Sequence, residues 1–463
     1  MKNGNATGKR GEKMTDMPKI VRQVLTALES AGYEAWCVGG CVRDTLLSRH
    51  PGDWDVTTNA LPEETLAVFG DRAFPTGLQH GTVTVRMEHQ AVEITTYRVD
   101  GEYHDHRRPE HVTFTRSLEE DLARRDFTVN AMALDLRGEL RDPFGGREDL
   151  KRGVLCCVGD PDRRFEEDAL RILRGLRFAA VLGFSVDPAT GVSIHRHGEL
   201  LRDIAVERIQ VELFKLLCGG HAAEVLREYV DVTGVFWPEL LPMVGFDQRN
   251  RHHCYDVWEH TLHALEAVPA DPVLRCTMLL HDNGKPACFT VDEKGSGHFY
   301  GHPEVSRDLA DGMLRRLKCG TAFRETVVRL VAWHDRDISR TEWGLRRALR
   351  ALGEEDLRRL IAVKRADNLA QAPEFRDTQA EIDRAETIME KLLVENACVS
   401  LKQLAVNGRD LMELGLSGPT VGQTLSELLD AVVDGKLPNE RSALLEQAES
   451  MGKERKLCER REK

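Results

Sequence analysis

The run Gly39-Gly40-Cys41-Val42-Arg43-Asp44, followed nine residues after Asp44 by Asp53-Trp54-Asp55, most narrows what this chain can fold into. The apolar residues Ala35 to Val38 read as a strand and Val42 to Leu47 as a helix, so the two glycines fall in the turn between them. Backbone N–H groups at such a helix start bind phosphate. Gly39 and Gly40 let the chain approach closely, and Arg43 adds a fixed positive charge. Alternation along a following strand would send Asp53 and Asp55 to one face, where two carboxylates can share a pair of Mg²⁺ ions. One ion lowers the pKa of an attacking hydroxyl, and both neutralise charge on a triphosphate and its leaving pyrophosphate. A bare D-x-D is most often a solvated turn; the strand, glycine turn and basic helix beside it point instead to phosphoryl transfer.

At 463 residues the chain has room for two to four domains with sizeable cores. No run of about 18 apolar residues occurs and no apolar segment lies near the start, so neither a membrane span nor a secretory signal is expected, and a cytosolic location is. The 11 cysteines include no C-x-x-C pair, and Cys37, Cys41, Cys276 and Cys288 sit in or beside apolar patterns, which favours reduced, buried thiols over disulfides or structural zinc. A net charge of -12 argues against broad non-specific nucleic-acid binding but leaves room for a local basic groove. Arg163, Arg164, Arg171, Arg174 and Arg177 crowd one segment, and Arg107, Arg108, Arg124 and Arg125 form earlier clusters.

Residues 1–17 are polar and Lys-containing and are expected to be disordered. From 18 to 158, short apolar runs (Val83 to Val85, Val92 to Thr96, Met132 to Leu136, Val154 to Val158) alternate with helical patterns, which predicts an α/β catalytic domain. Beyond Asp160 helical periodicity dominates. Gly219-Gly220, Trp237 to Met243 and Asp292 to Gly297 mark turns or boundaries there, and the helical part is expected to divide into segments over 159–242, 243–370 and 371–463. Gly415 to Gly422 separates two amphipathic stretches near the C-terminus, and the last fifteen residues read as a charged, frayed helix or tail.

Further motifs follow in order. Arg124-Arg125-Asp126-Phe127-Thr128-Val129-Asn130-Ala131 places two guanidiniums, suited to a triphosphate, before an expected strand. Glu93 interrupts the strand pattern Val92 to Arg98, either as a third carboxylate beside Asp53 and Asp55 or as a solvent-facing edge residue. Glu167-Asp168-Ala169-Leu170-Arg171-Ile172-Leu173-Arg174-Gly175-Leu176-Arg177 is predicted to be one helix, with Asp168, Arg171 and Arg174 on a shared face. A carboxylate accepts from an exocyclic amine and a guanidinium donates to a ring nitrogen or carbonyl oxygen, so such a pair can select cytosine and adenine, which place an amine beside an acceptor. The plain alternative is a surface ion pair contributing about 0.2–0.5 kcal/mol to the helix.

Together these motifs, with His80-Gly81-Thr82-Val83-Thr84-Val85, resemble the class II tRNA nucleotidyltransferases, the CCA-adding enzymes of the polymerase-β-like superfamily. The resemblance spans most of the chain. It implies that Asp53 and Asp55 hold Mg²⁺ with Glu93 beside them, and that Gly40, Arg43 and Arg125 contact the nucleotide. It implies too that Asp168 and Arg171 read the base, that Arg174 and Arg177 line its pocket, and that Tyr103 to Val112 is a flexible loop used in switching from C to A. CTP, ATP and tRNA are then the substrates, with RNA held by the C-terminal part around Gly408-Arg409-Asp410-Leu411-Met412.

A second constellation begins at His281-Asp282, at the end of the apolar run Val273 to Leu280, where two polar ligands are costly without a partner. His260, His302, His334 and Asp367 occur in similar helical or helix-end contexts. Imidazole with carboxylate suits Mn²⁺, Ni²⁺ or Co²⁺ better than Mg²⁺. This segment resembles an HD-family phosphohydrolase domain. The resemblance implies His260, His281, Asp282 and Asp367 as a first ligand set and His302 and His334 as completing a second. Asn283 departs from it, standing where many relatives carry an apolar residue before Gly284-Lys285-Pro286. Three readings therefore remain beside full CCA addition: an A-only or poly(A)-adding enzyme, a protein acting chiefly as an HD phosphohydrolase, and an RNA-binding protein with two inactive sites. A further reading keeps CCA addition and makes the HD domain an inactive, metal-stabilised one.

Overall fold

A computed structural model describes residues 17–87, 90–101, 112–337 and 341–461. The expectation for the first sixteen residues, Arg107 and Arg108, and the segment 103–111 of the expected loop lie outside the described residues. The chain divides into two compact bodies, the first ending at Pro238 and the second beginning at Glu239. The expected boundary at 158/159 therefore falls within the first body.

The first body is built on a seven-stranded mixed sheet. Its strands are β1 (Ala35–Val38), β2 (Asp55–Thr58), β3 (Ala73–Gly77), β4 (Thr82–Met87), β5 (Gln90–Thr96), β8 (Ala133–Leu134) and β9 (Leu140–Arg141), in the order β3-β4-β5-β2-β1-β8-β9. A separate two-stranded ribbon joins β6 (Arg98–Asp100) to β7 (Val112–Phe114). Val92 and Ile94 are buried while Glu93 between them reaches solvent, the alternation of a strand with one covered face. β5 lies between β4 and β2, parallel to β2, so Glu93 is on an interior strand and not on an edge. Around the sheet stand α1 (Lys19–Ser30), α2 (Gly40–Leu46), α3 (Pro62–Phe69), α4 (Leu118–Ala123) and α5 (Gly146–Arg152). Helices α6 (Pro161–Glu167), α7 (Leu170–Leu182), α8 (Pro188–His197), α9 (Val206–Leu217), α10 (Ala222–Glu228) and α11 (Val230–Gly234) complete this body, with α7 against α9 and α6 against α8.

Three local expectations differ from the structure. Asp53 is in the loop before β2, which starts only at Asp55. The chain after Arg125 does not run straight into a strand: Phe127 makes one bridge to Cys157 and Thr128–Asn130 form a 3-10 turn before β8. The segment from Glu167 to Arg177 is two helices, because Asp168 adopts an extended conformation (φ -138°, ψ 101°) between α6 and α7.

The second body is helical apart from two-residue strands. It comprises α12 (Val257–Ala267), α13 (Pro272–Leu280), α14 (Lys285–Cys288), α15 (His302–Arg316), α16 (Thr321–Trp333), α17 (Glu342–Leu369), α18 (Gln379–Val394), α19 (Gly408–Glu413), α20 (Pro419–Val433) and α21 (Arg441–Arg461). Leucines of α17 (Leu345, Leu349, Leu357, Leu360) pack with Leu330 of α16 and Ile382, Met389 and Leu392 of α18 in one core. Leu411, Leu428, Leu429 and Leu444 form a smaller one near the C-terminus. Among the described residues no helix is long and apolar enough to cross a membrane.

Candidate active site and metal centre

The parallel register of β2 and β5 pairs Asp55 with Glu93 and so sets the third carboxylate beside the second. Asp53 joins them from the preceding loop, close enough for its charge to act on Asp55. The Asp55 carboxyl is pushed up to about 6, first by the protein crowded around it, then by Asp53 and Glu93, with the Arg125 guanidinium opposing. The side chain as a whole reaches solvent, which screens the repulsion among the three carboxylates and limits the shift. Three acceptor-only groups, two of which raise the proton affinity of Asp55, form a donor set suited to a hard divalent cation.

One cation, Arg125, lies near enough to this trio to oppose the rise at Asp55. Gly39 takes φ +77°, and a Cβ there would come within 3.3 Å of Arg125 Nη1, so only glycine lets that guanidinium lie against the turn. Gly40 begins α2, and a Cβ on it would meet Arg43 Nη2 at 3.6 Å. Buried Asp121 holds both arginines of the Arg124-Arg125 pair: Arg124 Nε and Nη2 donate to its Oδ1 at 3.0 and 2.8 Å, and Arg125 Nη2 donates to Oδ2 at 3.4 Å. Burial alone would raise the Asp121 pKa, but the two guanidiniums outweigh it and hold the carboxyl below its usual range.

A second chain of bonds fixes the remaining arginines. Arg43 donates from Nε to Asp44 (2.8 Å) and from Nη1 to Asn130 Oδ1 (2.8 Å), and Asn130 Nδ2 donates to Asp126 Oδ1 at 3.2 Å. Arg174 grips the other Asp126 oxygen with Nε and Nη2 at 2.9 and 2.6 Å. Burial opposes ionisation of Asp126, yet Arg174 and the hydrogen bonds carry its pKa down to about 2. The guanidiniums of Arg43, Arg174 and Arg177 lie 5.1, 5.5 and 4.0 Å from the centre of the Phe178 ring, and Arg177 Nε is 2.7 Å from Glu212 Oε2.

Asp168 and Arg171 are neighbours, but each is engaged elsewhere. Asp168 Oδ1 accepts from Leu170 N at 3.1 Å and Oδ2 from Arg208 Nη2 at 3.2 Å. Arg171 Nη1 donates to Glu167 Oε2 (2.7 Å) and Arg164 O (3.1 Å), and Nη2 to Arg124 O (2.9 Å).

In the second body, His260, His281, Asp282, His302 and His334 are all buried and Asp367 closes one side of the cluster. Every imidazole donates from Nδ1 to a backbone carbonyl: His260 to Ala370 (3.2 Å), His281 to Met278 (2.6 Å), His302 to Phe299 (2.9 Å) and His334 to Val331 (2.7 Å). A carbonyl only accepts, so these bonds leave Nε2 of each ring turned inward as the ligand atom. His260 and His281 approach Asp282 Oδ2 at 3.5 and 3.3 Å, and His302 and His334 approach Oδ1 at 3.4 and 3.6 Å. Asp282 thus stands between two ligand groups, His260–His281–Asp282 and Asp282–His302–His334. Asp367 Oδ1 lies 2.9 Å from His260 Nε2 and 3.7 Å from His281 Nε2. His302 Nε2 and His334 Nε2 are 3.2 Å apart, which needs a cation or a shared proton between two inward lone pairs, and His281 Nε2 is buried without a hydrogen bond. Burial would strip a proton from His281, but Asp282 and Asp367 reverse this and raise its pKa. Asn283 points its amide at Met313 Sδ (3.3 Å), away from the ligand atoms.

Sequence reasoning passed over the residues that hold these groups. Asp121, Asp126, Asn130, Phe178, Arg208 and Glu212 position the first site, and Lys285, whose Nζ is 2.7 Å from Asp282 Oδ2 and 2.9 Å from Gln248 Oε1, braces the second. Asp126 and Asn130 lie inside the quoted Arg124 to Ala131 motif, and Lys285 lies four residues past His281, so proximity to a motif was the available signal.

Residues 35–156 match the Poly A polymerase head domain family, 183–240 the family described as a probable RNA and SrmB-binding site of polymerase A, and 302–448 the putative tRNA nucleotidyltransferase domain 2 family. A CCA-adding enzyme of Limosilactobacillus reuteri is 35% identical over 447 residues, covering 96% of this chain and 100% of the relative. One from Geobacillus stearothermophilus is 36% identical over 437 residues, covering 91% and 94%. Among solved structures, the Bacillus stearothermophilus CCA-adding enzyme in complex with CTP is similar with a TM-score of 0.70 at 30% identity, over 94% of this chain and 97% of that one. With a carboxylate trio beside Arg125 on the Gly39 turn, and with relatives alike over nearly their whole length, this chain belongs to the CCA-adding enzymes, the tRNA nucleotidyltransferases.

Proposed function

We propose that the first body adds C, C and A in turn to the 3′ end of tRNA, taking CTP and ATP, releasing pyrophosphate and using protein side chains in place of a template. The observation that carries this reading is the register of Asp55 with Glu93, which gathers three carboxylates where Arg125 lies against the Gly39 turn. The family implies a divalent metal, and the all-oxygen donor set of Asp53, Asp55 and Glu93 fits Mg²⁺. When bound there, the metal supplies activation of the 3′ hydroxyl and neutralisation of triphosphate charge. The protein's own residues do the rest. Arg43, Arg125, Arg174 and Arg177 draw in and orient the triphosphate so that the α-phosphorus lies in line with the tRNA 3′ oxygen. Asp168 and Arg171 select C and A, each exchanging a protein partner (Arg208 for Asp168, Glu167 for Arg171) for the nucleobase. Residues 18–158 then serve catalysis, 159–242 base choice and tRNA binding, and 371–463 RNA binding. The reaction's substrates place it in the cytoplasm.

Transcripts lacking CCA, lacking CA and lacking only the final A, given CTP and ATP separately and together, test this directly. All three are expected to be completed to CCA. Extension of only the last would make the protein an A-adding enzyme. Asp53→Ala and Asp55→Ala are each expected to lower every addition by at least about a hundredfold, with tRNA binding retained; loss of tRNA binding in either would contradict the assignment.

A second reading rests on the four inward Nε2 atoms around Asp282. Residues 243–370 hold one or two transition metals, Mn²⁺, Ni²⁺ or Co²⁺, and hydrolyse a phosphoester. Its mark is metal-dependent hydrolysis lost in His281→Ala and kept in Asp53→Ala.

A further inference from the structure

Phe178 lies in α7, one residue past Arg177 and four past Arg174, and its ring is buried where three cations meet. The guanidinium carbons of Arg177, Arg43 and Arg174 are 4.0, 5.1 and 5.5 Å from the ring centre, within reach of a cation–π contact. Arg174 and Phe178 share a helix face at i and i+4, whereas Arg43 arrives from α2. The ring is itself held, because Phe127 stands edge to face with it, the two planes 81° apart. Carboxylates bind the same cations, but each pulls a different way. Asp44 on α2 takes Arg43, Asp126 before the 3-10 turn takes Arg174, and Glu212 on α9 takes Arg177. The Phe178 ring meets all three guanidiniums.

Like charges brought to one point repel, and burial adds to the cost. Burial pushes the Arg177 guanidinium below its ordinary value; Glu212 opposes this, and the charges of Arg174 and Arg43 act in the same sense as burial. An aliphatic side chain of similar size would fill the space without answering that repulsion. A phenyl ring answers it, since the negative face of its quadrupole attracts cations. Attraction to a π face also needs no N–H donor of the guanidinium, so the donors stay available to phosphate oxygens. We infer that Phe178 is a positioning residue for the polyphosphate: its ring keeps Arg43, Arg174 and Arg177 gathered, so that a triphosphate does not have to assemble them on binding. The role lies in the π electrons of the ring and not in its volume. It bears on the phosphates alone and is blind to whether the base is C or A. The inference rests on the placement of the triphosphate against these arginines under the proposed function.

Phenylalanine carrying one, two and then three ring fluorines, placed at position 178 of the full chain, keeps the shape of the ring while draining charge from its face. Calorimetric binding of pyrophosphate, CTP, ATP and cytidine with Mg²⁺ is the measurement, and binding elsewhere on the chain is common to all forms and cancels in the comparison. Affinity for pyrophosphate, CTP and ATP is expected to fall stepwise and by the same factor, on the order of tenfold between the unsubstituted and trifluorinated proteins, with cytidine binding unchanged. Phe178→Leu is expected to lose at least as much. Affinities flat across the fluorinated series, with Phe178→Leu alone weakened, make the ring a packing residue and overturn the inference. A loss confined to one nucleotide or shared by cytidine also overturns it, as does a failure of pyrophosphate to bind the unsubstituted protein. Extension of the three transcripts is read in parallel. A flat series in a protein that completes CCA removes the role of Phe178 and leaves the proposed function intact. A graded series in a protein that extends no transcript supports the role of Phe178 and removes the proposed function.

Discussion

Asp55 joins electrostatics to catalysis at a single side chain. Its folded pKa of about 6 lies above the ordinary carboxylate value of about 4, so the metal-free folded state binds more protons than the unfolded state between those pH values. Stability contributed by this group therefore falls as pH rises from about 4 to about 6, and the penalty is complete above that range. We expect Asp55→Asn to abolish transfer yet to melt higher than the unsubstituted protein at neutral pH without metal, by under about 1 kcal/mol given the solvent exposure, with the advantage gone near pH 4. Thermal melts of the two proteins in chelator across that range check the sign. The pairing of Asp53 with Asp55 was legible as a D-x-D spacing, although Asp53 reaches its neighbour from the loop before β2 and not by alternation along a strand. Asp126 was not, although it is as firmly tied into the site. Its partner Arg174 is 48 positions away, and no local pattern reports a contact that only folding creates.

The same limit appears in the helices. Periodicity through Glu167 to Arg177 is continuous, and counting apolar positions reads one helix; the extended backbone at Asp168 breaks it, because the Asp168 side chain caps the next helix by accepting from Leu170 N. The break turns Asp168 toward Arg208 of α9, so a carboxylate expected on the face of Arg171 is held instead by a neighbouring element. Gly175 shows what fixes α7. A Cβ there would fall 2.9 Å from Phe127 Cζ, inside a buried contact that also sets Phe127 edge-on to Phe178, centroids 5.9 Å apart. Gly175→Ala should cost about 1–3 kcal/mol, seen in denaturant melts, and weaken nucleotide binding by displacing the helix that carries Arg171, Arg174 and Arg177. Strands β1, β4 and β5 were readable from their apolar runs; β8 shrank to two residues because the 3-10 turn at Thr128–Asn130 uses up the segment before it.

At the scale of the whole molecule, each of the two bodies holds its own cluster of ligand-type side chains, and metal should act on them separately. Saturation of the histidine cluster, to about 100 times its dissociation constant, stabilises the body that holds it by about 2.7 kcal/mol. Hydrogen exchange is the measurement: chelation should lower protection in α12, α13 and α17 and leave β1, β2 and β5 unchanged, and His281→Ala should remove the difference. Both sites were legible as clusters of ligand types, whereas the sharing of Asp282 between two ligand groups was not, because only the fold brings α12, α15 and the ends of α13 and α16 together. Three guanidiniums gather about Phe178, where burial and then the charges of Arg174 and Arg43 work against Arg177, while three carboxylates repel one another around Asp55. Each of these guanidiniums keeps a carboxylate partner (Asp44, Asp126 or Glu212), and a nucleoside triphosphate with its cation carries the opposite sign to each cluster. Nucleotide binding would exchange these contacts within the protein for contacts with the ligand, so the fold already carries the charge pattern that its ligand complements.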